Sequence, residues 1–486
     1  VTEGISESKN YSTHQIRVKK GHKMYPYFQQ MTQNAKNLYN TTNFYIRQVF
    51  TSFTQEKELQ PLQQEVVRTI QQNLQPMNDI QIVAYQKKLK IQQKKPKEKQ
   101  KEVKLNEFVA PTKDNPYVDY NFLDALFKRI GQPDYRSLPT QSSQGVMKVV
   151  FQNWKSFYAS LADYKLNPTK YKGRPKIPKY CRSEEKEILF TNQDCVIKNN
   201  KHLKFPKTKE RLNIGKLALS EGKLKQVRVV PKYHEYMVEL VMEVQSEQEI
   251  LVDNGRYMSI DLGIDNLATI VTNTGRNPVL IKGQKIKSIN QYYNKRKAHY
   301  LGILRHGKQP SEGIFTSKRL EKLHQTRSFK IKDIFHKASY RIVKIALNEN
   351  INTIIIGQNK EWKQQIHIGK RNNQSFVHIP HSLLISMIEY KAARNGIKVI
   401  VTEESYTSKA SFLDDNVPTY GECSNKIRFS GKRIQRGLYR TERGLLINAD
   451  VNGAANILKK VLVKLKDKQE FKVETVQIWE PQKMII

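Results

Sequence analysis

Ser259-Ile260-Asp261-Leu262-Gly263-Ile264-Asp265-Asn266-Leu267 is the stretch on which the reading of this chain turns. Asp261 ends an apolar run, Tyr257 to Leu262, that reads as a strand, and Gly263 keeps the backbone beside it bare. Asp265-Asn266 reads as a hairpin turn into a second strand, Ala268 to Thr272. A carboxylate on a central strand is costly to bury unless something pairs with it, and a divalent cation is a natural partner. An ordinary aspartate at a strand end is the plainer alternative.

Working outward, the pattern from Arg256 is α/β. Further strands are expected at Thr353 to Gly357 and Lys398 to Thr402, with helices near Ile286 to Arg305, Lys330 to Asn348, His381 to Asn395 and Val451 to Val463. In Leu446 to Ile457, Asp450 stands at a helix start, where it can serve as N-cap or as ligand. Gly453, Ala454 and Ala455 are small enough to let that helix lie close on a sheet, bringing Asp450 near the end of the first strand.

The first half of the chain differs. His14 to Lys20 alternates as a half-buried strand, Tyr25 to Phe50 reads helical, and Lys87 to Lys104, with nine Lys and two Glu, reads as an exposed helix or mobile arm. Val146, Val149, Val150, Trp154, Phe157 and Leu161 give an amphipathic helix over Val146 to Tyr164 with Trp154 in its core. Gly173, Pro175 and Pro178 then hold Tyr171 to Tyr180 as an extended basic loop. Strand-like runs at Ile188 to Thr191, Val227 to Pro231 and Tyr236 to Val244 suggest a small barrel or sheet completed by the first strand.

Among 486 residues, 84 Lys and Arg face 45 Asp and Glu, a net charge of +39, and such an excess calls for a polyanion. Val1 to Asn10 lacks a basic-then-apolar signal and no apolar run approaches the ~20 residues a membrane span needs, so no membrane partner is expected. Cys181, Cys195 and Cys423 are too scattered for a disulfide framework or a zinc module and fit a reducing cytoplasm.

Ser259 to Leu267, His336-Lys337-Ala338-Ser339, Thr353 to Gln364, Tyr406 to Lys409 and Asn448 to Asn456 resemble the RuvC-like nuclease domain of TnpB proteins and miniature type V CRISPR effectors. Trp154 to Phe157 and Gly173 to Lys176 also look like that family, and Leu38-Tyr39-Asn40 matches loosely. The resemblance implies an α/β RNase H-like (RuvC) nuclease domain plus an N-terminal β-barrel wedge domain with an inserted helical recognition domain. On that plan residues 1–13 form a disordered start, 14–24 and 165–250 the wedge, 25–164 the recognition domain, 251–405 and 441–465 the nuclease, 406–440 a basic insertion, and 466–486 a C-terminal tail.

The family's second carboxylate follows the Ile-rich strand, but here Gly357-Gln358-Asn359 carries no charge, and amides cannot replace a carboxylate on magnesium. The strand Lys398 to Thr402 runs into Glu403-Glu404. In a right-handed βαβ unit it lies beside Thr353 to Gly357 and opens onto the same crevice. Because a strand alternates faces, Glu404 is preferred over Glu403, with Glu361 third. The family's zinc ribbon is also missing its cysteines. Cys423 stands alone, so no zinc is expected, and Lys426, Arg428, Lys432, Arg433, Arg436 and Arg440 make the segment a basic insertion toward target nucleic acid.

If Asp261, Glu404 and Asp450 converge they can hold two Mg2+ ions about 4 Å apart, with Mn2+ as a substitute, for in-line phosphodiester hydrolysis without a histidine base. Expected nucleic-acid contacts are Lys155, Lys172, Arg174, Lys176, Lys179, Lys295, Arg296, His336, Lys337, Lys363, Lys409, Lys432, Arg433 and Arg436. On the helix with Lys295 and Arg296, Tyr292, Tyr293 and Tyr300 read equally as core or as base-stacking groups. The resemblance implies a guide RNA and a target DNA duplex as partners, a monomer or homodimer, and a prokaryotic, cytoplasmic protein acting at the nucleoid. Three rivals are a guided binder that does not cut, an unguided structure-specific nuclease, and a basic RNA-packaging protein.

Overall fold

A computed structural model describes residues 10–96, 100–215, 222–244, 251–309, 312–358, 379–418, 428–465 and 476–486. The chain divides into two compact units, Val1–Gln245 and Ser246–Ile486.

In the first unit β1 (Asn10–Val18) is followed by α1 (Tyr25–Thr54), α2 (Pro61–Gln93), α3 (Tyr120–Arg129), α4 (Pro133–Ser137) and α5 (Thr140–Leu166). Apolar or small side chains at helical spacing in α1, Phe28, Met31, Ala35, Leu38, Ile46 and Val49, make its buried stripe. In α5 the stripe is Val146, Met147, Val150, Trp154 and Phe157. Val149, expected inside, is 42% exposed because it falls on the far side of that stripe. The Trp154 indole is buried and donates to Asn43 Oδ1 at 2.8 Å, so it is core as expected. Part of the lysine-rich stretch continues α2 as exposed helix; residues 97–99 lie outside the described residues.

Six strands follow: β2 (Ile188–Thr191), β3 (Val196–Lys198), β4 (His202–Lys204), β5 (Arg211–Asn213), β6 (Gly222–Lys232) and β7 (Glu235–Val244). β1 pairs antiparallel with β7, the last strand, so the chain's first strand does complete the sheet across the helical insertion. The sheet order is β1-β7-β6-β2, and β3, β4 and β5 form a second sheet. Among the described residues no ladder joins β1 to β2, so the expected barrel is an open sheet plus a small three-stranded one. Asn10 to Thr13, expected to be disordered, lie in β1 opposite Val244 to Val241. Phe28, Phe190, Phe205 and Tyr236 pack α1 on the sheet, with Phe28 and Phe205 centroids 5.1 Å apart.

The second unit holds β8 (Tyr257–Asp261), β9 (Asn266–Thr272), β10 (Val279–Lys282), α6 (Gln284–Leu304), α7 (Lys318–Asn348), β11 (Thr353–Gly357), α8 (His381–Ala393) and β12 (Lys398–Thr402). It ends with β13 (Lys432–Gln435), β14 (Leu438–Arg440), β15 (Leu446–Asn448), α9 (Ala449–Leu465) and β16 (Gln482–Met484). One sheet runs β12-β11-β8-β9-β10-β16. β8, β11 and β12 are mutually parallel, and β8, β9 and β10 form an antiparallel meander. The stretch read as a tail supplies β16, parallel to β10, at the sheet edge; its signal is only three residues long.

Alternation decides which helix each strand residue meets. Met258, Ile260, Ile354 and Ile356 pack with α7 and α8 on one face, while Ile355 packs with Val451, Ala454 and Ile457 of α9 on the other. Tyr257, Ser259 and Asp261 therefore look toward α9, and Ser259 Oγ donates to the Ala454 carbonyl at 2.6 Å.

Candidate active site

Asp261 is the last residue of β8, on the face covered by α9, and the helix comes close enough that only glycine fits opposite it. A Cβ on Gly453 would stand 2.9 Å from Asp261 Oδ2. Asp450 lies one turn earlier on the same helix. It is not the N-cap: Asn448 Oδ1 accepts from the backbone N–H of Asp450 at 3.0 Å and of Val451 at 3.2 Å. Its own carboxylate is thereby free of the capping role, and Oδ2 accepts from Asn266 Nδ2 at 2.6 Å while Lys282 Nζ donates to Asn266 Oδ1 at 2.8 Å.

The third acid comes from β12. In the parallel register Gly357 pairs with Thr402, and Gln358 N–H donates to the Thr402 carbonyl at 2.8 Å, which places the next residues at the same sheet end as Asp261. Glu404 turns inward: a Cβ on Gly357 would lie 2.8 Å from its Oε2, an oxygen shielded from solvent. Glu403 is instead held by the buried Lys460 ammonium of α9 and accepts from Ser405 N–H at 2.8 Å. Of the two glutamates, Glu404 is the one that feels the charge of Asp261. Glu361 and Lys363 lie outside the described residues, as does Cys423.

Electrostatics records the crowding. Protein encloses the Asp261 carboxylate even though part of the side chain stays accessible, and this burial, reinforced by Asp450 and opposed by Arg433, pushes its pKa up to about 7. Glu404 is pushed up to about 8 by burial, then by Asp261 and Glu403, against the pull of Lys460. Burial also raises Glu403, but its hydrogen bonds with Lys460 and Ser405 outweigh that and hold it below the usual carboxylate range. Two neighbouring acids that resist ionisation are a site short of positive charge. An all-oxygen, all-carboxylate donor set suits a hard divalent cation, so the residues fit magnesium or manganese. Among the described residues no group of three or more His, Cys, Asp or Glu side chains is placed closely enough to hold a metal ion as it stands. Cationic side chains lie at the rim instead: Arg433 is 3.6 Å from Asp450, and Arg436 and Lys287 both pair with Asp265.

The other expected contacts scatter over the surface. Lys155, Lys172, Arg174, Lys176 and Lys179 are exposed on the first unit. Their loop is pinned by Arg47 and Asn43, which donate to the Pro178 carbonyl at 2.7 and 3.2 Å. On the second unit Lys295, Lys409 and Lys432 are exposed, whereas Arg296 donates to Tyr300 and Lys337 pairs with Asp333. Tyr293 is buried and Tyr292 is 63% exposed, which divides the tyrosines of α6 between core and surface. His336 is exposed, and burial of its ring with the nearby Lys391 and Lys332 lowers its pKa. Arg433 and Arg436, expected on nucleic acid, are engaged with carboxylates here. Missing from the sequence reading were Asn266, Lys282 and Lys460. Asn266 lay inside the quoted motif, and Lys460 sits at helical spacing from Asn452 and Asn456; neither lysine had a local signal.

Among the described residues no helix is long and apolar enough to cross a membrane. A family model described as a probable transposase, OrfB_IS605, matches residues 239–363, and one described as the Cas12f1-like TNB domain matches residues 381–457. The chain is 27% identical over 214 residues to TnpB-like protein ORF457 of Acidianus two-tailed virus, covering 43% of this chain and 42% of that one. It is 28% identical over 218 residues to the CRISPR-associated endodeoxyribonuclease Cas12f1 of Sulfoacidibacillus thermotolerans, covering 43% and 47%. The chain thus spans less than half the length of these curated relatives. A solved Cas12f1–sgRNA–target DNA complex aligns over 92% of this chain and 98% of that chain at 13% identity, with a TM-score of 0.31. A ternary complex of AacC2c1 with sgRNA and extended non-target DNA aligns over 92% and 70% at 10% identity, with a TM-score of 0.39. Across these segments the chain is similar to TnpB-like and Cas12f1 proteins.

Proposed function

We propose that this protein is an RNA-guided DNA endonuclease with an RNase H-like (RuvC) catalytic centre formed by Asp261, Glu404 and Asp450. The observation that carries the reading is the facing of Asp261 by Glu404 from β12 and by the Asp450 end of α9, at one end of three parallel strands. The relatives' names agree with it, one being an endodeoxyribonuclease.

In this reading the three carboxylates would hold divalent ions. When bound, these supply a polarised water and neutralise charge on the scissile phosphate. Asp261 and Glu404 would bind such ions in their ionised forms, because a carboxylate must be ionised to serve as ligand. Asn266 holds one Asp450 oxygen, and the other lies 3.6 Å from Arg433, which an entering cation would displace. A structured guide RNA would lie along the basic surfaces, base pairing would select the DNA target, and the protein would read a short adjacent motif. The sheets of 14–24 and 165–250 act as wedge, the helices of 25–164 as recognition domain, and the basic segment 406–440 contacts target nucleic acid.

RNA copurifying with the protein is sized and sequenced first, and a discrete species is expected. A duplex matching that RNA is then offered with Mg2+. Wild type and Glu403→Gln should cut, while Asp261→Ala, Glu404→Gln and Asp450→Ala should bind without cutting. Cutting by Glu404→Gln with loss in Glu403→Gln would reverse the assignment of the third acid. One observation favours a second reading, a guided binder that does not cut: Gln358 stands uncharged beside the Ile-rich strand. Binding of the matched duplex by wild type without any cleavage would support it.

A further inference from the structure

Lys460 is 4% exposed and three turns along α9 from Asp450. A buried lysine needs a reason, because a desolvated ammonium is stable only when paired and hydrogen-bonded. Its Nζ pairs with Glu403 and donates to the Ser405 carbonyl at 3.2 Å. The two residues that flank Glu404 are thus held by one cation. Below them the seam continues: Asn456 Nδ2 donates to the Thr407 and Ala410 carbonyls at 2.8 and 2.7 Å, and Asn452 Nδ2 donates to Ala410 at 2.7 Å. Thr407 Oγ1 donates to the Glu404 carbonyl at 2.9 Å. The backbone around Glu404 is therefore tied down on both sides, and Gly357 leaves the space into which its side chain points.

Two adjacent glutamates at the mouth of an acidic site are ambiguous, since either can turn in. A neutral anchor in place of Lys460 would hold the Ser405 carbonyl equally well but would leave Glu403 free to compete. We propose that Lys460 is a positioning residue that captures Glu403 and fixes residues 403–405, so that Glu404 alone joins Asp261 and Asp450. This rests on the reading of those three acids as the ligand set.

The test is Mn2+ binding to the full-length protein, followed by magnetic resonance of the free ion without nucleic acid, beside cleavage rates at saturating DNA. Removing an outer partner of a metal ligand typically lowers affinity about 10–100-fold. Lys460→Met should weaken Mn2+ binding to that extent, and Lys460→Arg should restore most of it. Adding Glu403→Gln to Lys460→Met should also recover binding and cleavage, because the competing carboxylate is gone; a merely structural lysine would show no such rescue. Circular dichroism and melting of each variant identify loss of fold, and the double variant, which buries no lone charge, keeps the comparison possible if Lys460→Met unfolds. Wild-type Mn2+ affinity in Lys460→Met, or a double variant that folds yet binds no better than a misfolded or weakened single one, overturns the role. Glu404→Gln separates the two layers. If it keeps Mn2+ binding, the ligand set and this role both fall; if it loses binding while Lys460→Met does not, only the role of Lys460 falls.

Discussion

Gly357 and Gly453 are where the absence of a side chain does the most for the site. A methyl at Gly357 would meet Glu404 Oε2 at 2.8 Å and Ile457 Cδ1 at 2.5 Å, both closer than packed atoms tolerate. Gly357→Ala is expected to cost about 1–3 kcal/mol in stability through overpacking and to cut cleavage by an order of magnitude or more as Glu404 is displaced. Wild-type cleavage in a folded Gly357→Ala protein would show that Glu404 is not placed by that contact. The raised pKa values of Asp261 and Glu404 carry a signed prediction. In the unfolded chain both acids ionise near about 4, whereas the folded protein holds their protons until about 7 and about 8. Between those values the unfolded state binds fewer protons, so stability in the presence of chelator falls as pH rises through the window. The melting-temperature advantage of an Asp261→Asn/Glu404→Gln protein over wild type should grow from pH 4 to pH 9. A difference that does not change with pH would remove the burial argument.

At the scale of elements, what the sequence made legible was what hydrophobic spacing encodes. β11 and β12 fall where Ile354 to Ile356 and Val399 to Val401 predict them, and their parallel pairing follows from the intervening helix. Face alternation stops with β12 at Thr402, so in the structure the Lys460 ion pair, and not alternation, separates Glu403 from Glu404. β3, β4, β5 and β16 carried no comparable signal, being three residues each and partly exposed, so their pairing is set by tertiary context. Asp450 was ambiguous because Asn448, two residues earlier, is an equally good cap, and only the hydrogen bonds choose between them. Open ladders cannot be told from closed ones by strand count, which is why the strand-like runs of the first unit allowed either a small barrel or a sheet. In the first unit Trp154 joins α5 to α1 through Asn43 and through Phe50, whose ring centroid is 5.6 Å away. Trp154→Ala should cost about 3–5 kcal/mol by the cavity it leaves, and Trp154→Phe less. Chemical denaturation followed by amide exchange in α1 and α5 measures this; little loss of protection in Trp154→Ala would mean that the indole is not a keystone of that packing.

For the whole molecule the decisive quantity is the net charge of +39, which no internal pairing can absorb and which phosphates would neutralise. Affinity for nucleic acid should therefore fall linearly in log–log form with salt, by a slope proportional to the phosphates contacted. Lys172, Arg174, Lys176 and Lys179 form one exposed row on a loop held rigid by its two prolines and by Arg47 and Asn43, so their ammonium and guanidinium groups reach solvent at fixed places. Each phosphate contact contributes about 0.7–0.9 to the slope, so replacing all four by alanine should reduce it by up to about 3.6. Lys337 is the control. It is already paired with Asp333 at 2.7 Å, so Lys337→Ala should change the slope by less than any of the four. Fluorescence anisotropy of a labelled RNA over a series of salt concentrations reads both. An unchanged slope in the fourfold variant would mean that this loop faces away from the polyanion, and the binding surface would then have to be sought among the cations of the second unit.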